Sequence, residues 1–357
     1  MRWFYLPNEN TEGDQIGPRM AFEKLHREGV FSAYTAYSYL VRQNALNSHQ
    51  EALSEFLETA RAFAPDVIFI QHPGNRYQMN RAYLQQIKAI SSKPKLVLYE
   101  EDPYGYIVKR MDATIKAVLA ESDICFLGGT GYLAEMAYKA GAKKVRYALH
   151  SYDSQRFGTP WQPTLARRFD AVMIANLPIL KRIPWLYVPG GRSRKQTAQA
   201  LYKHFGERFA VYGGDRGWTG EPYCKGKIAF DKQGEAIRDA WMSVNWGQYD
   251  EIAMYSSDRL PISLACGVPH ITNYQPGYEH VFNNIPGLFI IKSPQEALDV
   301  ALYILNLTIE QRNELGFQAA EYAIKHLEAT VIYSNIVSVI TEQLFDNQAT
   351  SAQSEQK

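Results

Sequence analysis

The chain reads as two consecutive doubly wound α/β domains, and three observations carry that reading. Short apolar runs alternate with longer amphipathic stretches, the pattern of βαβ units around a parallel sheet. Each run stops at a polar or glycine-rich loop, where open parallel sheets hold their ligands. The alternation breaks once, over the proline-bearing stretch 157–168 (FGTPWQPTLARR), and then resumes. With 357 residues, each domain has enough chain for a core of its own.

The pattern predicts a first strand over 2–6, a loop carrying Gly13 and Gly17, and a helix over 18–28 with Pro18 in a first helical position. A helix over 50–63 leads to a strand over 66–70, which ends in Gln71-His72-Pro73-Gly74-Asn75. Strands over 95–99, 123–127 and 144–149 end in Glu100-Glu101-Asp102, in Gly128-Gly129-Thr130-Gly131 and in His150-Ser151-Tyr152-Asp153. After the break, strands are predicted over 170–175, 209–213, 227–230, 242–245, 270–272 and 288–291, with helices over 195–205 and 260–265. Helices over 294–305, 309–326 and 331–346 close the chain, the last expected to cross back to the first domain. The domains are thus expected over 1–160 and 161–330. The polar tail from Asn347 is expected to be disordered.

Composition narrows the function classes. Apolar residues make up 46% and the formal net charge is +1, which excludes a disordered or fibrous chain and argues against a surface covered in basic residues. Cys125, Cys224 and Cys266 are odd in number, far apart and set in apolar surroundings, as buried free thiols in a reducing compartment would be. The N-terminus lacks a signal-peptide core, and no apolar run approaches the roughly 20 residues of a bilayer span. A cytoplasmic location is expected, in a host cytoplasm if the chain is phage-encoded.

The most informative stretch runs from Tyr255 to Asn273, followed by Pro276-Gly277-Tyr278-Glu279. A loop there feeds a short helix that stops at Gly267, and a strand returns over 270–272. Arg259 beside that helix start, with its free N–H groups, suits a diphosphate. The plain alternative is an ordinary strand–helix–strand unit with a surface arginine.

The pattern Arg259…Ala265-Cys266-Gly267-Val268-Pro269 resembles the donor-site segment of group 1 glycosyltransferases of the GT-B type, nearest their spore-maturation-protein-like branch. The resemblance runs in order over about 170–340, through Phe209–Gly213, Gly226-Lys227-Ile228 and Val244-Asn245. It implies two Rossmann-like domains facing a central cleft, with the donor on the second and the acceptor on the first. It also implies that the Gly226–Ile228 backbone reads the nucleotide base, that a phosphate-binding arginine heads the second domain, and that an acidic residue holds the donor ribose. That acidic position is Ile262 here, so Asp258, Ser256 and Ser257 are the candidates to replace it.

Gly190-Gly191-Arg192-Ser193-Arg194-Lys195, glycines before a helix start with three basic side chains, describes a phosphate cradle. Arg194 is the first choice for the phosphate contact, with Arg192 and Lys195 next. In the first domain, Asp102 is the candidate general base, placed just past a strand to take the proton of an acceptor hydroxyl. The stretch from Lys95 to Asp102 also resembles the corresponding segment of the phage T4 DNA β-glucosyltransferase, which implies the same role; a solvated acidic turn before Pro103 is the plain reading. His72, His150 and Gly17 are candidates for acceptor or sugar contacts, and either histidine is an alternative base.

No metal triad and no D-x-D pair stands out, so a metal-independent reaction is expected, with a nucleotide-sugar, UDP-sugar first, as co-substrate and no cofactor. The acceptor is a glycan, a small molecule or a hydroxymethylated DNA base. The last is suggested by the setting of Asp102 and by the basic run of Arg167, Arg168, Lys181, Arg182, Arg192, Arg194 and Lys195. A non-catalytic sugar-nucleotide-binding scaffold is the competing class. A dinucleotide-dependent oxidoreductase is disfavoured, since neither half carries G-x-G-x-x-G. Oligomeric state is left open.

Overall fold

A computed structural model describes residues 1–346 apart from Ile107, Lys181, Arg182 and Asp215. The tail from Asn347 and the basic residues Lys181 and Arg182 therefore lie outside the described residues. The chain forms two compact units, residues 1–149 together with the chain from Ala329 on, and His150–Glu328. The division falls at Leu149/His150, upstream of the proline-bearing stretch predicted to divide the domains.

Unit 1 runs β1 (Arg2–Leu6), α1 (Ile16–Arg27), β2 (Ala33–Ala36), α2 (Tyr39–Leu46), α3 (His49–Phe63), β3 (Val67–Gln71), α4 (Arg81–Lys88), β4 (Lys95–Glu100), α5 (Ala113–Glu121), β5 (Ile124–Leu127), α6 (Tyr132–Ala140) and β6 (Val145–Tyr147). The strands form one parallel sheet in the order β2-β1-β3-β4-β5-β6. Residues of β3 and β4 are buried without alternation, because helices cover both faces of a parallel sheet. Local signals agree with the elements: Ser48 caps α3 through the amide of Glu51, and Asp112 caps α5 through that of Ile115. On one face Trp3, Phe22, Phe31 and Phe69 pack together with Ile332, Tyr333 and Ile336 from the chain's end. Each such aromatic, fully buried, contributes roughly 2–3 kcal/mol.

Unit 2 runs α7 (Ser154–Phe157), β7 (Phe169–Ile174), β8 (Ile179–Leu180), β9 (Ile183–Tyr187), α8 (Gly191–Phe205), β10 (Phe209–Tyr212), α9 (Gln233–Arg238), β11 (Ala240–Asn245), α10 (Arg259–Ala265), β12 (His270–Asn273), α11 (Tyr278–Val281), β13 (Leu288–Ile291), α12 (Pro294–Asn306) and α13 (Ile309–His326). Five parallel strands take the order β10-β7-β11-β12-β13, and β8 and β9 pair as a separate antiparallel ribbon. The order reverses at β7, so a switch point opens between β7 and β11. A capping box of Thr308 and Gln311 starts α13, and Ser293 with Pro294 starts α12.

In unit 1, α14 (Ala329–Thr341) packs along α1 and supplies those three residues to the core. Two predictions about local structure are corrected. Residues 227–230 are not a strand but a loop entering a 3-10 turn, Phe230–Lys232, since they have no sheet neighbour to pair with. Cys224 is only partly buried, unlike Cys125 and Cys266, although all three are free thiols. Among the described residues no helix is long and apolar enough to cross a membrane.

Candidate functional site

The apolar run Phe169–Ile174 buries all of β7 and delivers Ala175 and Asn176 to the C-terminal edge of the unit 2 sheet. Beside it β10 delivers Tyr212 and Gly213. Only glycine fits at 213, because a Cβ there would press on the carbonyl of Ala175 and stand 2.6 Å from the Trp218 indole, which itself donates to that carbonyl at 2.7 Å. The amide of Gly213 donates to the carbonyl of Gly226 at 3.0 Å, and Asn176 Oδ1 accepts from the amide of Gly214 at 3.3 Å. These bonds pin the 226–230 loop over the strand ends and enclose a cavity of about 390 Å3. Its walls include Asn176, Lys227, Ile228, Phe230, Gln233 and Arg259.

The cavity carries positive charge that the protein leaves largely open. Lys227 is exposed and has no ion-pair or hydrogen-bond partner among the described residues. Arg259, first residue of α10, pairs through Nη1 with Asp258, while its Nε is buried and unpartnered. Gln233 opens α9 and presents a buried, unpartnered Oε1, an acceptor in an otherwise donor-rich wall. The ring of Phe230 is exposed on the same wall and stands edge-on to Phe157 at 5.4 Å. Asn176, Phe230 and Gln233 were not singled out from sequence. The signal available for them was their position just after a strand or at a helix start.

The structure brings Lys227, Ile228 and Arg259 together on one wall and sets other expected donor residues elsewhere. Ser257 accepts from Asn245 Nδ2 at 3.1 Å, Asp258 pairs with Arg259, and Ile262 and Ser256 are buried; none of the four lines the cavity. Arg194, the first choice for a phosphate contact, has its guanidinium on main-chain carbonyls and does not line this cavity. It is 7% exposed, donates through Nε to the carbonyl of Trp246 at 2.7 Å and through Nη1 to that of Asn176. It thus fills the gap between the ends of β7 and β11, the switch point itself. Its helix shows why: Gly191, Arg194, Ala198 and Leu201 form the buried stripe of α8.

Gly190 and Gly191 are likewise packing positions. Gly190 has φ +71°, and a Cβ on it would lie 2.9 Å from the carbonyl oxygen of Gln248; one on Gly191 would lie 2.9 Å from Tyr187 Cβ. Lys195 is held by Glu221 at 2.7 Å, and Arg192 is exposed off the cavity wall.

In unit 1 the ends of β3 and β4 place an imidazole between two carboxylates. His72 Nδ1 meets the fully buried Glu100 at 2.5 Å, and Nε2 faces Asp102 at 3.7 Å. Asp102 is paired with Lys109 Nζ at 2.5 Å, and its amide donates to Glu100 at 3.0 Å. Burial pulls the His72 pKa down, but Glu100, with smaller help from Asp102 and Glu101, outweighs it and carries the imidazole up to about 9. Burial raises the Glu100 carboxyl, and His72 offsets that only in part. The imidazole therefore keeps its second proton well into the neutral range. Gly17, expected in the first loop, lies buried in the first turn of α1. His150 opens unit 2 rather than ending a strand of unit 1; it is buried, edge-on to Tyr255 at 5.7 Å, and off the cavity wall.

Residues 192–336 match the sequence profile of a family described as glycosyl transferase-like. A search of curated protein sequences finds no match. Among solved structures, Anabaena Alr3699/HepE in complex with UDP and glucose is similar with a TM-score of 0.61 at 11% identity, over 96% of this chain and 100% of that one. A glycosyltransferase from Rickettsia africae gives 0.59 at 10% identity, over 96% and 99%. Sucrose-phosphate synthase from Thermosynechococcus elongatus gives 0.55 at 12% identity, over 98% and 100%. The fold, two parallel-sheet α/β domains, is of the GT-B type, and the profile match is confined to residues 192–336.

Proposed function

We propose that this protein transfers a glycosyl group from a UDP-sugar, bound in the unit 2 cavity, to a hydroxyl acceptor. The observation that carries the reading is the placing of Lys227, which has no partner among the described residues, beside Arg259, whose Nε has none among them either, in one cavity at a strand edge. Two cations without a full complement of carboxylates suit a pyrophosphate. The matched family profile covers both residues, and Alr3699/HepE of the same fold binds UDP and UDP-glucose.

In this reading Lys227 and Arg259 take the pyrophosphate and stabilise the charge that develops as it leaves. The Ile228 backbone and the Phe230 ring hold the base. Gln233 Oε1 accepts from the ribose, in place of the acidic side chain that Ile262 lacks. Arg194 acts by position, fixing the Asn176 backbone. Asp102 takes the acceptor's hydroxyl proton as its oxygen bonds to the anomeric carbon and the bond from that carbon to the departing UDP breaks. Glu100, Glu101 and Asp102 gather negative charge at that strand end, and Lys109 is already paired, which favours a glycan or small-molecule acceptor over a DNA polyanion.

The test is release of nucleotide diphosphate from UDP-, GDP-, ADP- and dTDP-sugars without acceptor. Slow release of UDP from one UDP-sugar, lost in Arg259→Ala, is expected. Inertness across all donors would overturn the enzyme reading in favour of a binding scaffold.

A further inference from the structure

A second cavity in unit 2, of about 330 Å3, shares no residue with the first. It lies under the segment 159–164 and is closed by Arg167, Arg238 and Cys266. The two cavities sit at opposite ends of the same two helices. Helix α9 begins with Gln233 in the first and ends with Arg238 in the second; α10 begins with Arg259 in the first, and Cys266 follows it in the second.

The second cavity holds cations with no ion-paired carboxylate among the described residues. Arg167 Nη1 donates to the carbonyls of Arg238 and Ala240 at 2.6 and 3.2 Å, and its Nε is buried and unpartnered. Among the described residues Arg238 Nη1 reaches only the sulfur of Cys266, at 3.3 Å. Behind them Arg167 and Arg312 both lie over the ring of Trp241, at 5.2 and 4.3 Å. None of the three guanidinium groups pairs with a carboxylate among the described residues. Burial draws the Arg167 guanidinium down to about 10, and the like charge of Arg238 adds to that, with Cys266 and Asp239 pulling back only in part. Cys266 does not neutralise them, since burial pushes its thiol up to about 11 and it stays protonated. The indole Nε1 of Trp161, packed at Gly316, is a further buried donor without a partner. Uncompensated charge of this kind is costly to a fold and is offset when an anion binds.

We infer that this cavity is a second ligand site, for a small organic anion whose phosphate or carboxylate meets Arg167 and Arg238 and whose body lies against Trp161. The inference does not rest on the UDP-sugar reading. Phenyl phosphate titrated calorimetrically into the full chain is the probe, with phenol as the uncharged control. Saturable binding is expected for phenyl phosphate and not for phenol. It should weaken about tenfold or more in Arg238→Gln, less in Arg238→Lys, and persist in Arg259→Ala. The lysine variant carries the comparison should the glutamine variant fail to fold. No saturable binding, equal affinity in both Arg238 variants and the parent, or loss of binding in Arg259→Ala would each overturn the inference.

Discussion

Arg194 Nε donates to the main-chain carbonyl of Trp246 at 2.7 Å, so a side chain from α8 closes the gap where strands β7 and β11 part. Charge-assisted bonds from a buried guanidinium to main-chain carbonyls make this an expensive contact to lose. Arg194→Met is expected to lower unfolding stability by about 3 kcal/mol. Arg194→Lys should restore little, because an ammonium lacks the fork that spans two carbonyls. Urea denaturation of the full chain checks this, and an unchanged midpoint in Arg194→Met would contradict it.

Gly190 is held where its neighbours tolerate no side chain. With φ +71° and the Gln248 carbonyl 2.9 Å from where a Cβ would sit, Gly190→Ala should cost about 2 kcal/mol or more. Thermal unfolding measures it; a midpoint within one degree or so of the parent would show that the 247–248 backbone yields freely.

The His72–Glu100 pair gives a pH dependence of known sign. The folded-state pKa of His72, about 9, lies above the ordinary histidine value of 6.5. Its contribution is therefore complete below pH 6.5 and is lost as pH rises through about 9. The raised Glu100 carboxyl acts in the same direction. Denaturation midpoints should fall between those limits in the parent and fall less in His72→Gln; parallel profiles would contradict the pairing.

Asp102→Asn separates base chemistry from donor binding. Transfer should drop by roughly a hundredfold or more, while UDP affinity stays within twofold or so, as measured by product formation and by titration. Full transfer by the asparagine variant would remove Asp102 from the base role.

The fold was legible because its strands are continuous apolar runs that parallel sheets demand, as in Val67–Gln71 and Lys95–Glu100. Residues 227–230 misled because a short apolar run carries no sign of whether a sheet neighbour exists. The short β2 and α2 escaped for lack of periodicity over so few residues. Within the site, Arg259 and Lys227 could be picked out from their neighbours in sequence. Arg194 could have been read as packing from its place on the α8 stripe, but a basic side chain after two glycines drew the phosphate reading instead. Gln233 matters through an oxygen left without a partner, which only three-dimensional structure shows. The juxtaposition of His72 and Glu100 likewise depends on the register Gln71↔Tyr99 between β3 and β4.

In the proposed function a nucleoside diphosphate sits against Arg259 and Lys227. Calorimetric titration of UDP into the full chain, comparing the parent with Arg259→Ala, addresses it most directly. Saturable binding to the parent and at least about tenfold weaker binding to the variant at unchanged stability are expected. Equal affinity in the two proteins would contradict it.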